Sequence, residues 1–338
     1  MRAFNWTDKS ADRNKLTEKY EPVQPIILFE LLSSVGANQF IDVGANIGYY
    51  TILMSQLPRC ENIFSFEADK ETFSQLIDNV VINGLSQKVH CIQRAVSSSG
   101  GSLQFQIADE LSGINSVVRT SFHKKELFRS VVNVEACTLD SLALENVQAI
   151  GLKIDVEGHE LEVLQGARQT LERNKCVLQV ETYEGSVYLT QNLLESMEYR
   201  KIFSVGNDYY YSNIPVLFDL PNFLSIIETA MGHAIEFNLG RWPKPSNLPK
   251  LNVQIDLHSD CLSVSCEMMG QPIGGPLEYA FYVIANGQRV YTRWYERDSN
   301  LLFDITGHRN KEIVVQGFAR DIVHPSRKVI GKAYARNV

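Results

Sequence analysis

Hydrophobic and polar positions alternate along the chain in two different rhythms. From residue 39 to about residue 211, short apolar runs typical of strands are separated by stretches with helical spacing. The predicted strands are Gln39–Val43, Asn62–Glu67, Lys88–Gln93, Ala149–Asp155, Val177–Glu181 and Lys201–Val205, and the predicted helices are Gly48–Gln56, Lys70–Asn83 and Glu160–Asn174. Repetition of strand, helix and strand predicts a mostly parallel sheet with helices on both sides.

The last two predicted strands of this region lie too close together for a crossover helix. KIFSV ends at Val205, and DYYYS begins at Asp208. The pair must form a hairpin, which places one antiparallel strand in the otherwise parallel sheet. Residues 39–213 are therefore predicted to form an α/β domain, preceded by a peripheral helical extension over residues 1–38.

The pattern changes after residue 213. A helix is predicted within residues 216–236, and the following GRWPKPSNLPK, with three prolines in eleven residues, is typical of a linker. Strict alternation then appears in LNVQIDL and CLSVSCEM, and Asn286-Gly287 between two aromatic-rich runs predicts a hairpin. We therefore predict a helix and linker over 214–250 and a small all-β sandwich over 251–338.

Composition narrows the classes of protein to which the chain can belong. Of its 338 residues, 44% are hydrophobic and 21% charged, and the net charge of −7 argues against nucleic acid or an anionic membrane as the main partner. No apolar run reaches the ~18–20 residues of a membrane span, and the N-terminal MRAFNWTDKSADRNK lacks the apolar core of a signal peptide. The six scattered cysteines predict free thiols in a reducing cytoplasm, and no His–Cys cluster has zinc-ligand spacing.

The stretch FIDVGANIGYYTI contains the first candidate site. Asp42 lies near the end of the first predicted strand, and Gly44 and Gly48 follow at the start of a helix. Glycines let a ligand approach the backbone, and the helix N-terminus offers free N–H groups to an adenosine-containing cofactor. The spacing lacks the glycine pattern of a dinucleotide fingerprint, which weakens the interpretation as a nicotinamide site.

Glu67 ends the second predicted strand, in NIFSFEADK. An acid at this position can accept hydrogen bonds from both ribose hydroxyls of an adenosine. The alternative is that Glu67 caps the next helix, but Asp69 is better placed to cap the helix that begins at Lys70. We therefore predict that Glu67 binds the ribose.

Acidic residues cluster in GLKIDVEGHELEVLQGA, residues 151–167. Three acids and a histidine follow the predicted strand: Asp155, Glu157, His159 and Glu160. Acidic residues at a helix N-terminus are also common for a structural reason, because they interact favourably with the helix dipole. A group of this size at the carboxyl edge of the sheet favours a functional site instead. A divalent metal on Asp155, Glu157 and Glu181 is an alternative, although no calcium-loop spacing supports it and no metal is predicted.

Several stretches, in order, resemble the FkbM-type family of S-adenosylmethionine-dependent methyltransferases. They are DVGANIGYYT, FSFEAD, RAVSSSGG, TLDSL and LKIDVEGHELEVLQGA followed by VLQVE. The resemblance covers about residues 39–213 and is most specific in KIDVEGHELEVLQGA, whereas the glycine loop is shared with many methyltransferases. It implies a class I methyltransferase, Rossmann-like sheet of seven strands with the last strand antiparallel. The sandwich from residue 251 lies outside that family's core.

The resemblance also implies roles for individual residues. The methionine part of S-adenosylmethionine would be lined by Asp42, Gly44, Asn46 and Gly48. Glu67 would hold the ribose, and Ala68 and Ala95 would contact the adenine. Asp155 would lie beside the amino group of the cofactor and the reacting centre. Members of the family methylate hydroxyls on sugars, lipids, polyketides and other natural products. The expected acceptor therefore carries a hydroxyl group.

A general base would assist such an acceptor because the pKa of an alcohol is high. His159 has a suitable intrinsic pKa of about 6.5, although it can equally be a solvent-facing residue in the first turn of a helix. The predicted catalytic residues are Asp155, Glu157, His159 and Glu181. Asp155 is the first choice for an essential residue, either as the base or as a group that orients cofactor and substrate.

Two further regions bear on the substrate. A polar insertion over 109–130 could form a loop over the substrate through Ser112-Gly113 and Asn115-Ser116. The insertion also contains the basic residues Lys124, Lys125 and Arg129. They would suit an acidic substrate or, alternatively, form an ordinary solvated helix face. In the sandwich, YAFYVIANGQRVYTRWY is unusually aromatic. Exposed rings on a β face can stack on sugars, but we expect at least half of these rings to fill the core.

We therefore predict an S-adenosylmethionine-dependent O-methyltransferase. A loose resemblance of the sandwich to accessory domains of bacterial polysaccharide proteins directs the expected acceptor towards a sugar, glycan or glycolipid precursor. The alternative is a non-catalytic glycan- or protein-binding module on a retained methyltransferase fold. The retention of Asp42, both glycines, Glu67 and Asp155 argues against that alternative. The sequence does not predict an oligomeric state.

Overall fold

The computed structural model of the chain describes residues 21–108, 115–117, 128–183, 185–238, 248–258, 261–308 and 311–335. The chain divides into two compact units. Of the described residues, unit 1 contains those in 21–77 and 86–238, and unit 2 contains those in 78–85 and 248–335. Within the described ranges, every helix is too short or too polar to cross a membrane.

Unit 1 is built on alternating strands and helices. Its strands are β1 (Gln39–Val43), β2 (Asn62–Phe66), β3 (Val89–Ile92), β4 (Ala95–Val96), β5 (Gly101–Ile107), β6 (Ser116–Val117), β7 (Ser130–Cys137), β8 (Ile150–Ile154), β9 (Cys176–Glu181), β10 (Arg200–Val205) and β11 (Asp208–Ser212). Its helices are α1 (Gln24–Val35), α2 (Tyr49–Met54), the first part of α3 (Lys70–Ile82), α4 (Glu160–Gln165), α5 (Arg168–Arg173), α6 (Val187–Glu195) and α7 (Leu220–Asn238).

Seven of these strands form the central sheet, in the order β10-β11-β9-β8-β1-β2-β3. β1 pairs in parallel with β2 and β8, whereas β11 is antiparallel to both of its neighbours, β10 and β9. This arrangement confirms the predicted hairpin and the class I, Rossmann-like sheet with one antiparallel strand. The order changes direction at β1, and ligands of such sheets bind beside the carboxyl ends of the strands at this point.

The layer beside the sheet includes α1. Residues 25–32 of α1 are all buried, and a Cβ on Gly151 of β8 would lie 2.5 Å from Cδ1 of Leu32. Glycine at position 151 therefore lets the helix pack directly on the strand. The segment expected to be peripheral is an integral part of unit 1 from residue 24 onwards.

One predicted helix is two helices in the structure. The expected element Glu160–Asn174 divides into α4 and α5 at Gly166, where a Cβ would lie only 2.0 Å from the carbonyl oxygen of Ser97. The carboxylate of Asp140 then accepts hydrogen bonds from the amides of Gln169 and Thr170, at 3.1 and 2.8 Å. The prediction of one helix was wrong because a contact distant in sequence ends the first helix and a cap from another loop begins the second.

A second, four-stranded sheet in unit 1, β4-β7-β5-β6, was mostly missed by the sequence patterns. Much of the predicted insertion before β7 lies outside the described residues, including Ser112, Gly113, Lys124 and Lys125, and so does most of the proline-rich linker. Helix α6 was not predicted either. The helix expected within 216–236 is present as α7, preceded by a short 3₁₀ turn at Pro215–Phe218.

Unit 2 contains a β-sandwich. Its strands are β12 (Lys250–His258), β13 (Cys261–Met269), β14 (Leu277–Ala285), β15 (Gln288–Glu296), β16 (Asn300–Asp304), β17 (Ile313–Asp321) and β18 (Lys328–Ala335). They form two antiparallel sheets, β12-β13-β16 and β15-β14-β17-β18. Asn286 and Gly287, both with positive φ, make the tight turn between β14 and β15, as the sequence predicts.

Candidate active site

The carboxyl ends of β1, β2 and β8 meet at one edge of the seven-stranded sheet and border a pocket. The pocket contains about 600 Å³ of empty space, including its open mouth. Eight of the eleven predicted site residues line it: Gly44, Asn46, Glu67, Ala68, Ala95, Asp155, Glu157 and His159. Residues from four separate parts of the sequence are therefore brought to one site.

Gly44 allows the loop after β1 to pass against the loop after β8. Its φ is +80°, and a Cβ there would lie 1.8 Å from the carbonyl oxygen of Asp155. The amide of Asp155 donates a hydrogen bond to the carbonyl of Val43, at 3.0 Å. Any side chain at position 44 would push Asp155 away from the pocket.

Gly48 and Asp42 lie behind the wall of the pocket. Gly48 precedes α2 with φ +92°, and a Cβ there would approach Leu76 to 2.7 Å. The buried carboxylate of Asp42 accepts a hydrogen bond from the hydroxyl of Thr51 at 2.6 Å, and burial raises the pKa of Asp42 to about 6. These two residues support the glycine loop from below, and direct contact with a ligand stays a prediction for both.

The Glu67 carboxylate joins the loops that follow β1 and β2. Oε2 accepts a hydrogen bond from the amide of Asn46, and Oε1 accepts one from the amide of Asp69, both at 2.9 Å. The side-chain oxygen of Asn46 is buried and has no hydrogen-bond partner among the residues that the structure describes. Because a buried acceptor without a donor is costly, this atom is suited to a polar ligand in the pocket.

The opposite wall of the pocket is apolar. Ala68 and Ala95 lie there with three larger side chains, Phe66, Val96 and Phe105. Apolar and aromatic surfaces of this kind suit a flat heteroaromatic ring. The pocket thus combines a carboxylate, an unpartnered amide oxygen and an apolar wall.

A buried lysine underlies the acidic end of the site. The Lys153 ammonium lies 3.8 Å from Asp155, 3.7 Å from Glu181 and 3.2 Å from Asp208. Burial alone would lower the pKa of Lys153, but these carboxylates and Glu21 together raise it well above its ordinary value. Lys153 is therefore a permanent positive charge among the carboxylates.

Glu181 has the most strongly altered carboxyl group of the site. Burial and the neighbouring Asp155 raise the pKa of Glu181 to about 9, against the opposing effect of Lys153. Of the described residues, Glu21, Asp155 and Glu181 approach closely enough to surround a cation, with Glu21 in the place predicted for Glu157. The ammonium of Lys153 already brings positive charge to that cluster.

Tyr183 connects the two outer carboxylates. Its hydroxyl lies 3.3 Å from Glu181 Oε1 and 3.4 Å from Glu157 Oε2. Glu157 has φ +53°, the left-handed conformation, immediately before Gly158 with φ +106°. The sharp backbone turn at these two residues carries the Glu157 side chain to the pocket wall.

His159 is buried at the pocket wall rather than exposed in the first turn of α4. Its Nε2 is 2.9 Å from the hydroxyl of Ser97, and its Nδ1 is 3.6 Å from Glu162. Burial lowers the pKa of His159, against the opposing effect of Glu162. Glu160 is also buried, and burial raises its pKa to about 7. The solvent-facing alternative for His159 was therefore wrong.

The acidic end of the site belongs to a buried polar row that crosses five strands. Directly paired positions along the row are Ser65, Asp42, Lys153, Gln179 and Tyr210. All five are almost completely buried, and paired residues share one face of the sheet. Hydrogen bonds connect parts of the row: Thr51 bridges Asp42 and Ser65, and Gln179 donates to Asp208 at 2.7 Å.

Sequence reasoning missed three contributors to this end of the site. Lys153 was not predicted as a site residue, although a lysine inside an otherwise apolar strand is itself an indication of a buried partner. Tyr183, two residues after Glu181, has no comparable indication. Glu21 is brought in from the segment before α1, and its carboxylate accepts a hydrogen bond from Tyr50.

Comparisons with known proteins identify a family for this part of the chain. Residues 42–204 match the model of the methyltransferase FkbM domain. The hexuronic acid methyltransferase AglP of Haloferax volcanii is 30% identical over 144 residues, which cover 43% of this chain and 55% of that protein. The chain thus spans about half the length of this relative.

Two further similarities are more distant. The methyltransferase sdnD of Sordaria araneosa is 29% identical over 207 residues, covering 52% of this chain and 78% of that protein. A solved structure of an FkbM methyltransferase from Methylobacillus flagellatus is 15% identical, with a TM-score of 0.38, over 52% of this chain and 44% of that one.

Proposed function

Residues 42–204 belong to the methyltransferase FkbM family, and from this premise we propose that the chain is an S-adenosylmethionine-dependent O-methyltransferase acting on a sugar hydroxyl. The observation that carries the proposal is the pocket at the ends of β1, β2 and β8. It combines groups suited to the methyl donor with an acidic cluster suited to an alcohol acceptor. A donor site and a proton acceptor side by side are what methyl transfer to oxygen requires.

The donor fits the pocket on features of the chain itself. Glu67 is suited to the ribose hydroxyls, the unpartnered oxygen of Asn46 to a donor on the ligand, and the wall around Ala68 and Ala95 to the adenine. When bound, S-adenosylmethionine supplies a methyl group on a sulfonium, which is already electrophilic. The main task of the protein is therefore to position the two reactants.

We assign removal of the hydroxyl proton to Asp155. This carboxylate lines the pocket, is partly exposed, and is held in place by Lys153. Glu181, with its pKa of about 9, is protonated near pH 7 and can donate a hydrogen bond to the acceptor or to Asp155. His159 is less suited to the role, because its ring nitrogens face Ser97 and Glu162.

The sugar acceptor rests on the relative from Haloferax volcanii, whose name gives hexuronic acid as its substrate. The carboxylate cluster supports methylation at oxygen, because a carboxylate can accept the proton that a hydroxyl must lose. All six cysteines are free in the structure, which supports a reducing compartment such as the cytoplasm.

Calorimetric titration with S-adenosylmethionine tests the donor site. Wild-type protein should bind saturably, and Glu67→Ala should weaken binding by about tenfold or more, since hydrogen bonds to charged groups contribute about 1.5–3 kcal/mol. Glu71→Ala, an exposed acid in the first turn of α3, is the matched control and should bind as the wild type does. Incubation with a methyl-labelled donor and hexuronate sugars then tests the acceptor.

Two results would contradict the proposal. A folded wild-type protein that does not bind the donor would contradict the assignment of the pocket. Equal weakening by Glu67→Ala and Glu71→Ala would show that general charge near α3, rather than the pocket carboxylate, governs binding. Thermal unfolding of each variant establishes that the comparison is made on folded protein.

A further inference from the structure

The outward face of the sheet β15-β14-β17-β18 carries aromatic rings that do not belong to the sandwich core. The core is built from alternate positions on the other face, including Phe281, Val283, Val315, Ala319 and Val329. On the outward face, the ring of Tyr282 lies 4.8 Å from that of Phe318 and meets Trp294 edge-on at 6.3 Å. Three neighbouring strands thus contribute one continuous group of rings.

Much of this aromatic face is open to solvent. Trp294 is 67% exposed and Tyr334, on β18, 62%. Ile330 extends the apolar surface beside Phe318, with which it is directly paired. A cluster of large apolar side chains at this exposure, on a sheet whose other face already forms the core, is typical of a binding surface.

Cations surround the rings. Arg289, Arg320, Lys328 and Lys332 lie on the outward face, because each is in register with an outward-facing residue of the adjacent strand. An acid, Glu278, also lies on this face, and Arg320 contacts it at 2.5 Å. Arg289 lies 4.5 Å above the ring of Tyr282. On a chain with a net charge of −7, this is a local excess of positive charge.

We propose that this aromatic–basic face binds an acidic polysaccharide, a chain of uronate sugars. A pyranose ring presents C–H groups that stack on an aromatic ring, and a uronate adds a carboxylate that pairs with lysine or arginine. The four strands span about 14 Å, at ~4.8 Å between neighbours, which accommodates a short run of sugar rings. Neutral sugars would leave the cations without a role.

The choice of a sugar over other anionic chains rests on the proposed function, whereas the binding itself does not require methyl transfer. The rings lie within the strands of a continuous sheet, so the surface is suited to a ligand laid across it. A membrane would instead favour apolar side chains at protruding loop tips. Binding of anionic vesicles would therefore overturn the proposal.

Affinity electrophoresis and calorimetry with the full chain test the proposal without S-adenosylmethionine. The probes are an oligogalacturonate, a neutral glucan oligosaccharide of the same length, a single-stranded oligonucleotide and phosphatidylserine vesicles. Trp294→Ala should weaken oligogalacturonate binding by about tenfold, from the loss of one stacked ring. The double variant Lys328→Glu with Lys332→Glu should weaken it at least as much, and the difference from wild type should shrink at high salt.

Leu302→Ala is the matched control. Leu302 is 73% exposed on β16 of the other sheet, so its removal should leave oligogalacturonate binding unchanged. The proposal is overturned if the wild type fails to bind oligogalacturonate. It is also overturned if the neutral glucan, the oligonucleotide or the vesicles bind as tightly as oligogalacturonate does, or if Leu302→Ala weakens oligogalacturonate binding as much as Trp294→Ala. Donor binding measured on the same samples separates this result from a failure of the proposed methyltransferase activity.

Discussion

The two units bury very different interiors. Across the sheet of unit 1 runs the polar row that includes Asp42, Lys153 and Gln179. The core of unit 2 is formed by apolar residues such as Leu262 and Phe281. Because buried charges cost free energy unless they are paired, a sheet that keeps several of them is organised for more than stability. The contrast associates the polar row with the candidate site of unit 1, whereas the two sheets of unit 2 pack on an apolar core.

The largest expected effect of a single change is on turnover. Asp155→Asn keeps the size of the side chain but removes the proton acceptor, so methyl transfer at saturating donor should fall by about 100- to 10,000-fold. The measurement is transfer of labelled methyl to a hexuronate acceptor across a range of pH. Glu172→Gln, at an exposed position on α5, is the control and should retain wild-type turnover.

Retention of most activity by Asp155→Asn would show that the proton is removed elsewhere. Glu157→Gln and Glu181→Gln would then be compared in the same assay, since Tyr183 connects these two carboxylates. His159→Gln is the corresponding test for the imidazole.

The next effect is on stability. Lys153→Met should lower the free energy of unfolding by about 3–5 kcal/mol, since it leaves the buried Asp208 and the partly exposed Asp155 without their cation. Addition of Asp208→Asn should restore part of that loss, because it removes one of the unpaired charges. Leu262→Ala in unit 2 should cost about 2–5 kcal/mol by leaving a cavity, and the same Asp208→Asn change should not restore it.

Urea unfolding of these four variants, of Asp208→Asn alone and of the wild type provides the comparison as two double-mutant cycles. If Lys153→Met is as stable as wild type, the row contributes little to stability. Its polar residues would then be explained by the site alone.

The smallest effect is the pH dependence of the two interiors. In unit 1, burial raises the pKa of Asp42 to about 6, of Glu21 to about 7 and of Glu181 to about 9. The folded state therefore binds protons more tightly than the unfolded state, whose carboxyl groups titrate near pH 4. The stabilisation is complete below that pH and is lost progressively as the pH rises from about 4 to the folded pKa of each group, which is about 6 for Asp42, about 7 for Glu21 and about 9 for Glu181.

Hydrogen exchange followed by mass spectrometry measures this dependence locally. After correction for the intrinsic pH dependence of exchange, the amides of β8 and β9 should lose protection as the pH rises from about 4 to about 9. The amides of β14 and β17 are the internal control. Equal loss of protection in both units would assign the effect to global unfolding instead of to the buried carboxylates.

Most of the fold could be predicted from the sequence where the pattern is local. The ends of β1, β2 and β8, next to Asp42, Glu67 and Asp155, follow from a few neighbouring residues each, and so does the turn at Asn286-Gly287. The division between α4 and α5 could not, because it depends on Gly166 meeting the carbonyl of Ser97, almost seventy residues earlier. A glycine inside a helical pattern does not reveal what lies against it.

The site shows the same limit. The sequence brings Gly44, Glu67 and Asp155 together through the rule that parallel strands end at one edge. It does not reveal that Asp42 faces Thr51 instead of the pocket, or that Lys153 lies among four carboxylates. Those facts depend on which face of a strand a residue occupies. In a sheet with both faces buried, apolar and polar residues do not alternate along a strand, so the sequence does not show the face.

The polar row also affects how the sheet can form. Successive residues of a strand point to opposite faces, so a slip of β8 by one residue would replace Lys153 with Leu152 or Ile154 opposite Asp42 and Gln179. The lysine would then enter the apolar layer on the other side. Parallel strands lack a tight turn to fix their alignment, and their apolar side chains discriminate poorly between alignments. In this sheet a single charged residue penalises every alignment of its strand that would turn it to the other face.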